Sequence, residues 1–268
     1  MELCVSNIAW SPADDPLAHS LLVAEGVSLL ELAPTRLWPD LSSVSSGYAS
    51  ALLSDLAFAG LSPYAFQALL YGRPDLGLFH PAAREACLDY LKLVVQLAAR
   101  LGVTVLVFGS PKNRVRGELH SKAAFTIATE FFHSLGSHAN QMGVQVCLEP
   151  NPPCYGCDFI TNMNEAAALV RAVNSSGFRL HGDAGELILN NEDVEAVLGE
   201  HGALLGHFHI SEPYLGAFSS PQGDHRRIAR ALRACAYDGV LSIEMKSQPT
   251  GLAAVVEALH FAQENYLC

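Results

Sequence analysis

Apolar positions along the chain gather into eight short runs, at residues 3–8, 27–33, 61–68, 103–109, 144–149, 178–183, 204–210 and 240–245. Within each run the hydrophobicity is nearly continuous, which predicts strands buried on both faces, the condition of a parallel sheet. Between runs the period becomes helical. Leu88, Leu91, Val94, Val95 and Ala98 share one helical face, and Phe125, Ala128, Phe131, Phe132 and Leu135 share another. A glycine stands immediately before six of the seven later runs (Gly26, Gly60, Gly102, Gly143, Gly177 and Gly239), where a helix has to stop before a strand begins. Strand, loop and helix repeated eight times over about 260 residues predict an α/β fold closed as a single (β/α)8 barrel. No linker rich in Pro, Gly or Ser divides the chain, so residues 1–268 are expected to form one domain. The serine-rich stretch 41–46 reads as a loop and helix cap.

Composition narrows the classes. Half of the 268 residues are hydrophobic and only 16% are charged, against roughly 25% charged in an average globular protein. Much of the chain is therefore interior, which excludes disorder, coiled coil and collagen. Sixteen Lys and Arg against 27 Asp and Glu leave a net charge of −11, which opposes binding to nucleic-acid phosphates or anionic membranes. No nucleic-acid partner and no membrane association are expected. The seven cysteines are odd in number and scattered through apolar segments, unlike a disulfide scaffold, so a reducing cytoplasm is the expected location. The N-terminus carries no basic leader region, and the longest apolar stretch, near 101–109, is about half the length a membrane span needs.

In a barrel of this kind the chemistry lies at the C-terminal ends of the strands. Four of the last five runs end there on a side chain able to bind metal: Glu149, Asp183, His209 and Glu244. Each alone is an ordinary junction residue. Three carboxylates and an imidazole converging on one mouth need a compensating cation, because unpaired buried charge is costly. Three oxygen donors and one nitrogen predict one divalent ion per chain, Mn²⁺ first, with Mg²⁺ or Co²⁺ as alternatives.

The segments Cys147-Leu148-Glu149-Pro150-Asn151-Pro152, Gly182-Asp183-Ala184-Gly185, Gly206-His207-Phe208-His209-Ile210-Ser211-Glu212-Pro213 and Ser242-Ile243-Glu244-Met245 resemble the xylose isomerase-like TIM-barrel superfamily, in its sugar phosphate isomerase/epimerase branch. The separations of 34, 26 and 35 residues between the four ligands are similar to those of ketose 3-epimerases. The resemblance implies a Glu-Asp-His-Glu site in which Glu149 and Glu244 both hold the metal and exchange protons with a carbohydrate-like small molecule. Such chemistry removes a proton α to a carbonyl through an enediolate. A second carboxylate on the opposite face then gives epimerisation, and shuttling on one face gives isomerisation. A lyase or dehydratase on the same metal site is the alternative reading. An endonuclease IV-type nuclease is a third, and it needs additional zinc-binding histidines where this chain has Glu186 and an adjacent Asp224-His225 pair.

Ketose epimerases carry a sugar-contacting His three residues after the metal Asp and an Arg in the loop after the metal His; here Glu186 and Leu215 stand at those places. Glu186 is accordingly assigned to substrate binding, together with Gln67 at the end of the third run, Lys112 and Arg114 in the loop after the fourth, and Lys246 beyond Glu244. A solvated loop or rim is the plain alternative for each. Glu31 is read as a hydroxyl partner or a polar rim, Trp10 as packing, and His207 as either a substrate group or a barrel filler. The Cys154-Tyr155-Gly156-Cys157 motif is read as loop chance, and the glycines form no nucleotide fingerprint. Assembly into a homo-oligomer is left open.

Overall fold

Each of the eight apolar runs overlaps a strand, β1 starting one residue earlier and β7 ending one later than the run: β1 (Glu2–Ser6), β2 (Leu29–Leu32), β3 (Ser62–Phe66), β4 (Val105–Phe108), β5 (Gln145–Leu148), β6 (Phe178–Asp183), β7 (Leu205–Ser211) and β8 (Val240–Glu244). In the computed structural model, which describes residues 1–268 apart from the Ser42 side chain, they pair in parallel in chain order and close into a barrel. The closing seam joins β1 to β8, from Glu2 opposite Val240 to Val5 opposite Ile243. The crossover helices are α1 (Asp15–Ala24), α2 (Pro34–Leu37), α3 (Ser46–Ala59), α4 (Pro81–Arg100), α5 (Ser121–Gln141), α6 (Met163–Val173), α7 (Ala184–Leu189), α8 (Val194–His201) and α9 (His225–Ala234), with α10 (Leu252–Ala262) after β8. Among the described residues no helix is long and apolar enough to cross a membrane.

The helical faces read from spacing are the ones that pack. Leu91, Val94, Val95 and Ala98 of α4 and Ala128, Phe131, Phe132 and Leu135 of α5 are buried. Phe132 meets Phe108 of β4 at 5.1 Å and stacks on Phe178 of β6 at 4.7 Å, so one ring docks α5 across the sheet. Burying such a ring contributes about 1.5–3 kcal/mol. Helix α3 shows both expected end signals. The Ser45 hydroxyl accepts from the Tyr48 N–H, and Gly60 closes the helix at φ +83°, where a Cβ would strain the backbone. Gly177 works differently: its φ lies outside the left-handed region, and any Cβ there would strike the Gly136 carbonyl of α5. Close approach of helix to strand is what requires that glycine.

The period of two along each strand divides the interior into two parts. Leu106, Phe108 and Leu148 point outward into the main core beneath the helices, whereas Val105, Val107, Cys147 and Ala65, flanked by Tyr64, form a small apolar plug inside the barrel. Elsewhere the barrel is lined by buried polar groups: Ser6, Glu31, His181, Asp183, His207, His209, Ser211, Ser242 and Glu244. Branched aliphatic residues normally fill such layers. Strand register brings the polar groups to matching heights, with Asp183 opposite His209, His209 opposite Ser242, and Ser211 opposite Glu244.

Candidate metal centre

His209 organises the mouth of the barrel. Its Nε2 lies 3.0 and 3.1 Å from the two oxygens of Glu31, which is fully buried on β2. Nε2 therefore donates to Glu31, and Nδ1 turns its lone pair toward Glu244 Oε2 at 3.2 Å, Glu149 Oε1 at 3.8 Å and Asp183 Oδ2 at 3.8 Å. Nδ1 is buried without a well-formed hydrogen bond. A lone pair facing three carboxylates is repulsive unless a positive charge stands between them. Donor separations of this size suit a shared ion, since two donors at ~2.1 Å from one cation lie about 3.0–3.8 Å apart. The buried Glu31–His209 contact is the outer support that such a histidine ligand uses. The residues present therefore fit a divalent cation held by Glu149, Asp183, His209 and Glu244.

Electrostatics agrees. Burial, and then the Glu244 carboxylate, push Glu149 up to about 8 and Asp183 up to about 6. Burial works against a charged His209 imidazole, yet the Glu31 and Glu244 carboxylates hold its pKa well above the ordinary histidine value. Burial also opposes the ionised form of Glu31, and the His209 charge with hydrogen bonds from His207 and His209 overcomes it, keeping Glu31 well below the usual range. A proton and a cation compete for the same lone pairs in this cluster.

Local structure holds two of the carboxylates in place. Asp183 is the N-cap of α7, accepting from Glu186 N at 2.8 Å, while Ser211 Oγ donates to its oxygens at 2.7 Å and itself accepts from Gly185 N at 2.9 Å. Glu149 Oε2 accepts from Asn151 Nδ2 at 3.0 Å, and the same amide donates to Glu186 Oε1 at 2.6 Å. A Cβ at Gly109 would collide with Glu149 Oε2, the far end of a movable side chain. Gly109→Ala is therefore expected to fold with a stability change under about 1 kcal/mol while displacing Glu149, so that calorimetric titration shows divalent-metal affinity falling about tenfold or more. Unchanged affinity with a normal melting curve would refute this account of Gly109.

Two cavities open on this face. One, of about 340 Å³, is lined by Tyr155, Asp183, Glu186, Ser211, Glu212 and Tyr214; the other, of about 610 Å³, by Gln67, Tyr71, Arg73, Val107, Lys112 and Asn113. Pro111, Glu149 and Glu244 line both. Of the residues assigned to substrate, Gln67, Lys112 and Glu186 thus border a cavity; Gln67 is tied back by a 2.7 Å bond to Ser6 Oγ, and Lys112 is exposed. Arg114 is fully buried, donating to Asn151 Oδ1 at 2.8 Å and to the Ile160 carbonyl, so it braces the loop after β5 from behind. Lys246 is exposed and lines neither cavity. Trp10 packs, its Nε1 donating to Asp15 Oδ1. Cys154 is exposed and Cys157 buried, its thiol turned to the Phe159 carbonyl, and both are free.

Three polar groups that contact this cluster escape the reading of strand ends. Asn151 and Ser211 lie in the quoted motifs but act through contacts 35 and 28 residues away along the chain. His181 is two residues before Asp183, hence on the same face of β6, and the alternation His181-Gly182-Asp183 beside His207-Phe208-His209 was the available signal.

The same architecture recurs in solved structures. A D-psicose 3-epimerase determined in the presence of D-fructose superposes with a TM-score of 0.83 at 16% identity, covering 99% of each chain. The 3-keto-D-glucoside 4-epimerase of E. coli superposes at 0.81, with 16% identity over 98% of this chain and 99% of that one. The IOLI protein with a bound zinc atom superposes at 0.74, with 17% identity over 99% of this chain and 96% of that one. At such identities the likeness is one of fold. No curated protein matches the sequence. A family model does, over residues 21–264, and its description is the architecture already traced from β1 to α10. The chain belongs to the xylose isomerase-like TIM-barrel family.

Proposed function

We propose that the protein is a divalent-metal-dependent isomerase or epimerase of a sugar, sugar phosphate or small α-hydroxy carbonyl compound. The observation that carries the reading is the placement of Glu149 and Glu244. They approach His209 Nδ1 from β5 and β8, on either side of the β6 and β7 ligands, and both border both cavities. The epimerases of similar fold support a carbohydrate-like substrate. When bound, the cation, Mn²⁺ first with Mg²⁺ and Co²⁺ as alternatives, stabilises negative charge developing on a carbonyl oxygen and its neighbouring hydroxyl. One carboxylate removes the α-proton to give an enediolate, and the other returns a proton on the opposite face. Asn151 positions Glu149, Ser211 positions Asp183, and Glu186 presents Oε2, which has no partner, to a substrate hydroxyl. The acidic lining of the smaller cavity suits a neutral polyol end; Lys112 in the larger one suits an anionic end. Every donor comes from one chain, and we place the enzyme, working as one domain, in the reducing cytoplasm, in keeping with seven free cysteines.

The test is a panel of ketoses, ketose phosphates, hydroxypyruvate and cyclic polyol ketones incubated with Mn²⁺-loaded protein in D₂O and followed by NMR. Deuterium entering at the α-carbon with composition retained is expected. Label accompanied by loss of water would establish a dehydratase on the same site, and turnover without any label would point to a hydride shift or a shielded single-base shuttle. Abasic-site duplex DNA is expected to show neither gel shift nor nicking at physiological salt, because a chain of net charge −11 displaces few phosphate counterions. Chelator-sensitive cleavage would instead establish a nuclease.

A further inference from the structure

The geometry points to His181 as a fifth donor to the metal centre, grouped with Glu149, Asp183 and His209, while Glu244 stands outside that group of four at 3.2 Å from His209 Nδ1. The inference rests on the reading that Glu149, Asp183, His209 and Glu244 hold a divalent cation, and it concerns which cation they hold. One donor atom from each of Glu149, His181, Asp183 and His209 falls within 4.8 Å of all the others. His181 Nε2 is 3.5 Å from Glu149 Oε1, too far for a good hydrogen bond and within the ~3.0–3.8 Å expected between two donors on one ion. Its ring stands edge to face against His209, with centroids 4.2 Å apart and planes at 78°. His181 is fully buried, and neither of its nitrogens has a hydrogen-bond partner. An imidazole in that state loses its hydration and gains no hydrogen bond in return. A structural filler at this position needs no nitrogen, as Val105 and Val107 show lower in the barrel. His207 is likewise without a hydrogen bond, but it groups with Glu31 and His209 and not with Glu149 or Asp183.

A second imidazole revises the Mn²⁺ preference that the four ligands alone give. Three carboxylates with one histidine suit Mg²⁺ and Mn²⁺, whereas two histidines move the preference along the Irving–Williams order toward Co²⁺ and Zn²⁺. His181 is thus a specificity-determining ligand for the cofactor.

The experiment uses the metals alone. Wild type, His181→Asn and His181→Gln are equilibrated with Mg²⁺, Mn²⁺, Co²⁺ and Zn²⁺ in competition, and bound metal is measured by mass spectrometry. Wild type is expected to retain Co²⁺ and Zn²⁺ over Mg²⁺ and Mn²⁺. Each variant is expected to lose about tenfold or more in Co²⁺ and Zn²⁺ affinity with less than about a threefold change for Mg²⁺. Unchanged selectivity, or an equal loss for all four metals, overturns the inference. Should both variants fail to fold, pulsed EPR of wild type carrying substoichiometric Cu²⁺ counts the coupled imidazoles: two are expected, and one overturns it. A wild type that binds none of these ions, or an Asp183→Asn variant that binds them undiminished, overturns the underlying metal reading as well.

Discussion

Glu149→Gln and Glu244→Gln each lower turnover of the identified substrate by about 10²–10⁴-fold, the usual worth of a positioned proton-transfer group. Both substitutions keep the size of the side chain, and glutamine at 149 still accepts from Asn151 Nδ2, which now sits 3.0 Å from Oε2. What each removes is the ability to take a proton. The two carboxylates reach the substrate from different strands, so each single variant should still exchange the α-proton of one epimer in D₂O while failing to interconvert the pair. The double variant should exchange neither. NMR of each epimer separately, with metal content measured in parallel, makes the comparison; exchange and turnover both surviving in the double variant would move the chemistry to other residues. Asp183→Asn behaves differently, because in the proposed site Asp183 serves as a ligand, oriented by Ser211 and the Glu186 N–H. Its loss of activity should track its loss of metal.

Divalent-metal affinity rises steeply with pH between about 5.5 and 8. In the metal-free protein, burial and the Glu244 carboxylate raise Glu149 to about 8 and Asp183 to about 6, above the ~4.3 and ~3.9 of the unfolded chain. A carboxyl group whose pKa rises on folding stabilises the fold at low pH, and that contribution is lost as pH climbs through the folded value. The metal-free protein therefore weakens from about pH 4.5 toward 8. A cation binds only after those protons leave, so from pH 6 to 8 the Glu149 proton alone changes affinity by about tenfold per unit, or about 2.7 kcal/mol in all. The proton on His209, raised by Glu31 and Glu244 against its burial, steepens the slope. Melting temperatures with and without saturating Mn²⁺ should converge near pH 5 and separate toward pH 8. A metal-induced shift that is flat across that range would refute the protonated state of this cluster.

The four metal-competent groups are legible in the sequence because each ends an apolar run where a charge is otherwise out of place. His181 is less so, since a histidine inside a strand reads as filler until its neighbours across the barrel are known. Arg114 shows what local sequence leaves out. In sequence it belongs to a basic loop with Lys112, and only the fold shows the loop after β5 closing over it through partners 37 and 46 residues away. Glu31 reads as a rim hydroxyl partner for the same reason: its contact with His209 spans 178 residues, and no local pattern reports it. Strand positions are read from hydrophobic runs, but the runs overshoot the strands, as at Val103 and Gly109 around β4, because burial continues after the ladder ends.

The seam between β1 and β8 has a consequence in time. The edge of β1 finds its partner only in residues 240–243, so during synthesis at ~5–20 residues per second it stays open for roughly ten to fifty seconds. Throughout that interval the nascent sheet presents an unpaired parallel edge, the kind of surface on which chains join one another instead of themselves. Glu244 lies one residue past the last of those pairs. The cluster at the barrel mouth acquires its final carboxylate in the same event that closes the ring.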